Sequence, residues 1–315
     1  MTLKSKPSGG AAAGAPGLLV TSPGDTWRDG IVSALASAGR AVVTGGSLRE
    51  TLGALPAARR AAHLHDGADA GHDGVGCDDP DFVMAGPSLD DSAWEALARE
   101  AKANPATASA PLLLGRPDCS SVYRPDRAAI LPDGFFLSPD GAAGLVADGE
   151  ARRREERLNG LRRTEMRGRS DPASVEALWG LAADLTRRAM SVVGDETESY
   201  RTLSAFREAV DNAAHHGNGG SREKFVSVLL VETREAVTIE VRDEGPGFDG
   251  DAGLRAVRSG DAARIARDRL ARGRPGGLGI KLMTECADEV RYSDGGRCLT
   301  LVKRLRRKDP GSERG

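Results

Sequence analysis

Short apolar runs punctuate the first half of the chain: GLLVTS from Gly17, AVVTG from Ala41, DFVMAG from Asp81, PLLLG from Pro111 and GFFLS from Gly134. Between them lie stretches with helical spacing, such as Thr26 to Ala38 and Ser92 to Ala103. Short strands alternating with helices predict a parallel, doubly wound α/β domain over residues 17–148.

The second half has a different rhythm. Asp171 can cap a helix and Pro172 suits its first turn, and Val175, Leu178, Leu181 and Leu185 then repeat at helical spacing toward Gly194. A second helix is predicted from Thr197 to His216. FVSVLLV and VTIEVRD follow as two strands joined by the polar ETREA, then LGIKLMTECADEV as a third helix and CLTLVKRL as a last strand. Two adjacent strands, flanking helices and a returning strand predict a mixed sheet covered by helices on one face, an α+β sandwich over residues 172–305. The highly charged ARRREERLNGLRRTEMRGRS lies between the halves and reads as a solvated helical linker within residues 149–171. Residues 1–16 and 306–315 offer little to bury and read as disordered tails.

Composition narrows the function classes. With 315 residues, two domains can each bury a core. The 44 basic and 46 acidic side chains nearly cancel, so no general pull toward nucleic acid or an anionic membrane is expected. No secretory leader and no run of apolar residues long enough to span a bilayer is evident, so the expectation is a cytoplasmic protein. Cys77, Cys119, Cys286 and Cys298 have no CxxC spacing. His63, His65, His72 and Cys77 fall in HLHDGADAGHDGVGCDDP, where the irregular, Gly-rich spacing reads as a surface loop rather than a metal site.

Chemistry concentrates in three places. On the helix toward His216, Leu203, Phe206, Val210 and Ala214 share one arc, and Glu208, Asn212 and His216 fall on the other side. DEGPGFD follows a strand directly, so Asp243 can present a fixed carboxylate while Gly245 and Gly247 admit a flat ligand close to the backbone. In GRPGGLGI glycines run straight into a helix, leaving free N–H groups suited to phosphates.

Together, EAVDNAAHHG, DEGPGFD and GGLGI resemble the three nucleotide-binding boxes of GHKL-type ATPases. The short form without a phosphoacceptor helix is similar to the anti-sigma factor serine/threonine kinases. The resemblance covers about residues 172–304 and implies ATP and magnesium as cofactors. It implies Asn212 as magnesium ligand, Glu208 as general base, and Asp243 as acceptor for the adenine amino group. Gly245 and Gly247 would shape the adenine pocket, and Gly276, Gly277, Leu278 and Gly279 would line the phosphates, with His216 closing the first box. Two departures stand out: a long Arg- and Ala-rich segment over residues 250–272, and Cys298 where the family often has Thr near the adenine.

More weakly, the first half resembles a response-regulator receiver domain in which Gly86 replaces the acceptor Asp and Ser138 the Lys, and VTSPGD lacks the acidic pair. Such a domain would dock or dimerise without taking phosphate; an unrelated α/β domain is the alternative. The resemblances imply a kinase acting on a small anti-sigma-antagonist-like protein, with a sigma factor and a second copy of the chain as further partners. The competing reading is a nucleotide-gated binding module without phosphotransfer, which would have no use for a base at Glu208. A sensor histidine kinase is disfavoured, because residues 151–170 hold no His. Because the three boxes lie beyond Thr197, removal of residues 17–148 is expected to leave ATP affinity intact.

Overall fold

A computed structural model of the chain describes residues 16–54, 80–104, 106–116, 125, 127–147, 161–191, 195–259 and 279–305. The chain divides into two compact units, one of Met1–Tyr123 with Leu131–Leu158, the other of Arg124–Ile130 with Asn159–Gly315.

In the first unit the five apolar runs become β1 (Gly17–Val20), β2 (Val42–Gly45), β3 (Val83–Ala85), β4 (Leu112–Gly115) and β6 (Gly134–Phe136), paired in parallel in the order β2-β1-β3-β4-β6. Helices α1 (Arg28–Ser37) and α2 (Asp91–Ala103) occupy the intervals predicted for them, and residues 48–54 and 139–147 are also helical. Leu19, Met84 and Leu113 pack with Ile31, Leu35, Ala142 and Val146 in one core. The opposite parity, Leu18, Val83 and Leu112, is buried as well. Both faces are therefore covered, which is why these strands read as unbroken apolar runs. With β5 (Ala128–Ile130) set aside, this is the 2-1-3-4-5 strand order of flavodoxin-like doubly wound sheets.

The second unit holds a six-stranded sheet in the order β10-β11-β9-β8-β7-β5, with β7 (Arg162–Arg169), β8 (Phe225–Glu232), β9 (Ala236–Arg242), β10 (Glu289–Ser293) and β11 (Cys298–Arg304). Every neighbouring pair is antiparallel, where the sequence suggested a mixed sheet. Met166, Val228, Leu230, Ile239, Val241, Leu299 and Leu301 form its buried face. Helices α3 (Pro172–Met190) and α4 (Glu196–Asn212) meet that face through Leu178, Leu181, Phe206 and Val210. Asp171 caps α3 as predicted, accepting from the Ser174 N–H at 3.2 Å and its hydroxyl at 2.8 Å, with Pro172 in the first turn.

Three strands escaped the sequence reading. β7 runs through the stretch read as a solvated helical linker: Thr164, Met166 and Gly168 are buried while Arg163 and Glu165 are exposed. The third helix, expected to run through Val290, ends at Cys286, because the Asp288 N–H donates to Val302 and the chain turns into β10. β5 (Ala128–Ile130) lies inside the range assigned to the first domain yet pairs with β7 at the edge of the second unit's sheet. The second unit is thus not contiguous in sequence. A cut that removes residues 17–148 takes away its edge strand, so the expectation of an untouched second half loses its basis. Most of the His- and Asp-containing loop of residues 63–80 lies outside the described residues. Among the described residues no helix is long and apolar enough to cross a membrane.

Candidate functional site

Helix α4 buries Leu203, Phe206 and Val210 against the sheet, and the same spacing leaves Glu208 and Asn212 half-buried on its other side. One turn apart, the two side chains meet: Asn212 Nδ2 donates to Glu208 Oε1 at 3.0 Å. The amide hydrogens turn toward the carboxylate, so the Asn212 carbonyl oxygen is the atom left for a hard cation.

Helix α6 (Gly279–Cys286) starts against this pair. A Cβ on Gly279 would overlap Glu208 Oε1, so a glycine here lets the Glu208 carboxylate and the helix start approach this closely. Along the same two helices the Arg201 guanidinium donates to the Glu285 carbonyl. Of the phosphate-lining residues named from sequence, Gly279 is thus placed beside Glu208; Gly276, Gly277 and Leu278 lie outside the described residues.

After Asn212 the helix widens into a π-helical turn, Ala213–Gly217, closed by the Asn218 N–H donating to the Ala213 carbonyl at 2.8 Å. His216 is exposed on this turn, and the neighbouring His215 Nδ1 lies 3.0 Å from the Asp211 carbonyl. The turn delivers Gly217 to Asp243: a Cβ there would overlap the Asp243 carboxylate, and one on Gly245 would overlap the Gly217 carbonyl. Asp243 Oδ1 accepts the Gly245 N–H at 2.8 Å, which fixes the carboxylate. Gly247 takes the left-handed conformation at φ 80°, and the Phe248 N–H then donates to the Gly295 carbonyl at 3.0 Å. Glu208, Asn212 and Gly279 therefore meet in one group, and Gly217, Asp243 and Gly245 in another, joined along the chain by the π-helical turn after Asn212.

Asp243 extends the parity of Val237, Ile239 and Val241, the helix-covered face. Cys298 is buried, but it stands opposite Arg242 and so has the other parity. Tyr292, opposite Leu299, shares the Asp243 parity. Its ring packs where any side chain on Gly250 would go and meets Phe248 edge-on at 5.0 Å. Burial, and then the Glu208 charge, push the Tyr292 phenol up to about 12, so this hydroxyl stays protonated throughout the physiological range. Helix α5 (Gly250–Arg258), capped by Asp249, opens the long Arg- and Ala-rich segment of residues 250–272; residues 260–272 of that segment lie outside the described residues.

Burial holds the Asp243 carboxyl above its ordinary value of 3.8, against the lowering effects of the Gly245 N–H and of Arg297, Lys224 and Arg242. The folded chain then binds this proton more tightly than the unfolded chain does. The group's stabilising contribution is complete below 3.8 and is lost as pH rises through the folded value. Without nucleotide, Asp243→Asn is expected to raise Tm near neutral pH, with the gain closing in acid. Calorimetric scans across pH test this; a mutant Tm at or below that of the parent near neutrality contradicts it.

Sequence reasoning missed Asn218 and Glu244. Asn218 is buried and its Oδ1 accepts the Glu244 N–H at 2.7 Å. The Glu244 carboxylate receives Arg167 at 2.8 Å and the Phe225 N–H at 3.0 Å. In sequence, Asn218 before Gly219 and Gly220 looks like an ordinary turn residue.

The carboxyl ends of the parallel strands in the first unit carry a second polar group. A Cβ on Gly86 would overlap the Asp25 carboxylate, which accepts the Ser88 hydroxyl at 2.6 Å and the Trp27 N–H at 2.9 Å. The space an acceptor side chain would need is already filled.

Residues 169–303 match the family model described as a histidine kinase-like ATPase domain. The match runs from the end of β7 into β11 and takes in Glu208, Asn212, Asp243 and Gly279. No curated protein matches the chain. Over these residues the second unit is therefore similar to histidine kinase-like ATPase domains of the GHKL type, and such domains bind ATP, typically with magnesium.

Proposed function

We propose that the chain is an ATP- and magnesium-dependent protein serine/threonine kinase of the anti-sigma factor type, acting in the cytoplasm on a small antagonist-like protein. One observation carries the reading: Glu208 and Asn212 are hydrogen-bonded on one helix face, with the start of α6 at Gly279 packed against Glu208. A domain that only binds nucleotide needs the amide oxygen but not the carboxylate.

The donor set suits the cofactors. An Asn oxygen is a hard ligand, and magnesium completes its shell with phosphate oxygens and waters, so one protein ligand suffices. Magnesium, when bound, neutralises charge on the phosphates. Asp243 accepts the adenine amino group, and the glycines before α6 receive the phosphates on backbone N–H groups. Glu208 takes the proton from a serine or threonine hydroxyl as that oxygen bonds the γ-phosphorus. The bond from phosphorus to the β–γ bridging oxygen breaks, and ADP leaves. A sigma factor and a second copy of the chain complete the proposed partners. Titration with ATP and GTP tests the pocket: Asp243→Asn should lose the preference for ATP, because an amide can present a donor to the adenine amino group. A mutant that chooses ATP as strongly as the parent contradicts the assignment.

For the first unit we propose a receiver-like domain that has lost its chemistry. The strand order and the Asp25 carboxylate filling the space beside Gly86 support this reading. Neither the parent nor Gly86→Asp is expected to take phosphate from small phosphodonors or to bind beryllofluoride, since the new carboxylate would be forced onto Asp25. Labelling of either chain within the first unit overturns the proposal.

A further inference from the structure

β5 lies in the connection between β4 and β6, which pair with each other in the first unit, while β5 itself pairs with β7. Leu131, the next residue, already belongs to the first unit. The last strand-to-strand bond on the β7 side runs from the Arg169 N–H to the Arg127 carbonyl at 3.0 Å.

One residue on, Ser170 begins a buried chain of hydrogen bonds. Its N–H and hydroxyl both donate to the Lys224 carbonyl, at 3.1 and 3.2 Å. Its Oγ also accepts from Asn218 Nδ2 at 2.7 Å, and the same amide nitrogen donates to the Phe225 carbonyl at 2.8 Å. Asn218 Oδ1 holds the Glu244 N–H, next to Asp243. The backbone N–H of Asn218 closes the π-helical turn that brings Gly217 against Asp243. Asn218, at 3% exposure, thus fixes Asp243 from both sides, and Ser170 ties Asn218 to the end of β7 where β5 is bonded.

We propose that Asn218 is the positioning residue for the adenine-reading carboxylate, and that pairing of β5 with β7 sets its geometry through Ser170. This rests on the reading of Asp243 as the adenine acceptor. A strand of three residues makes few ladder bonds and opens at lower cost than its longer neighbours. Its covalent continuation at Leu131 gives the first unit a handle on the nucleotide site. Removing the Ser170 hydroxyl leaves a buried amide hydrogen without its partner, which disfavours the ordered loop.

The test uses the full chain and compares ATP with inorganic triphosphate, both with magnesium, by calorimetry. An antiparallel ladder bonds alternate pairs, so after Arg127 and Arg169 the next bonded pair is Ala129 and Arg167, and Ala129→Pro removes its donor. Ser170→Ala and Ala129→Pro should each weaken ATP about tenfold, the usual size of one lost buried partner, and Asn218→Ala, which removes three bonds, by at least as much; all three should leave triphosphate affinity near that of the parent. Ser170→Thr, which keeps the hydroxyl, should restore ATP affinity. The double variant Ala129→Pro/Ser170→Ala should lose no more than either single variant, because both act on one link. Unchanged ATP affinity in Ala129→Pro beside a loss in Ser170→Ala, or losses that multiply in the double variant, would overturn the link. Equal loss of ATP and triphosphate would reduce Asn218 to a fold residue and overturn its positioning role. A parent that binds triphosphate but shows no added affinity for ATP would instead sink the reading of Asp243 itself.

Discussion

Asn212→Ala is expected to abolish magnesium-dependent ATP binding. The side chain sits one turn beyond Glu208, and its amide hydrogens turn toward the Glu208 carboxylate at 3.0 Å, leaving the carbonyl oxygen for the metal. Among the assigned site residues no other offers a neutral oxygen in this position. Alanine removes that ligand and also leaves Glu208 facing the phosphates without its partner, so like charges meet. A metal contact worth several kcal/mol corresponds to a loss of about 10²-fold or more in affinity. Calorimetry with and without magnesium measures it; unchanged, magnesium-dependent affinity in the mutant removes Asn212 from the site.

Glu208→Gln is expected to separate binding from transfer. Glutamine has the same shape, can still accept from Asn212 Nδ2, and still fits against Gly279, so nucleotide affinity should stay within a few-fold of the parent. What it loses is the capacity to take a proton. Removing a general base costs about 10²-fold to 10⁴-fold in rate. Phosphotransfer should fall by that amount while ATP remains bound. Equal transfer rates would place the base elsewhere; a parent with no transfer at all, but with partner affinity that changes on ATP binding, would favour the nucleotide-gated binding module.

How far the sequence carried each part depends on where the information sits. The buried parallel strands were legible because both faces are covered and each becomes a continuous apolar run, as in Leu18 to Val20 or Leu112 to Leu114. The α3 start was legible because Asp171 and Pro172 act locally. β7 was not, because its buried parity carries Thr164, Met166 and Gly168, only one of them a large apolar side chain, set among four arginines. β5 is three residues long, and nothing in Ala-Ala-Ile says which sheet it will join. Glu208, Asn212 and Asp243 stood out because a helix period and a strand end display them in recognisable order. Asn218 did not, since its partners lie 48 residues earlier at Ser170 and 26 residues later at Glu244, and only the fold brings them together.

Transfer of label from γ-labelled ATP to a separate protein tests the central claim most directly. The full chain, with magnesium and a fraction containing small antagonist-like proteins, should place label on a serine or threonine, and Glu208→Gln should reduce that label by about 10²-fold or more at equal ATP occupancy. Label on a histidine or aspartate, or bound ATP with no transfer from the parent, would contradict it.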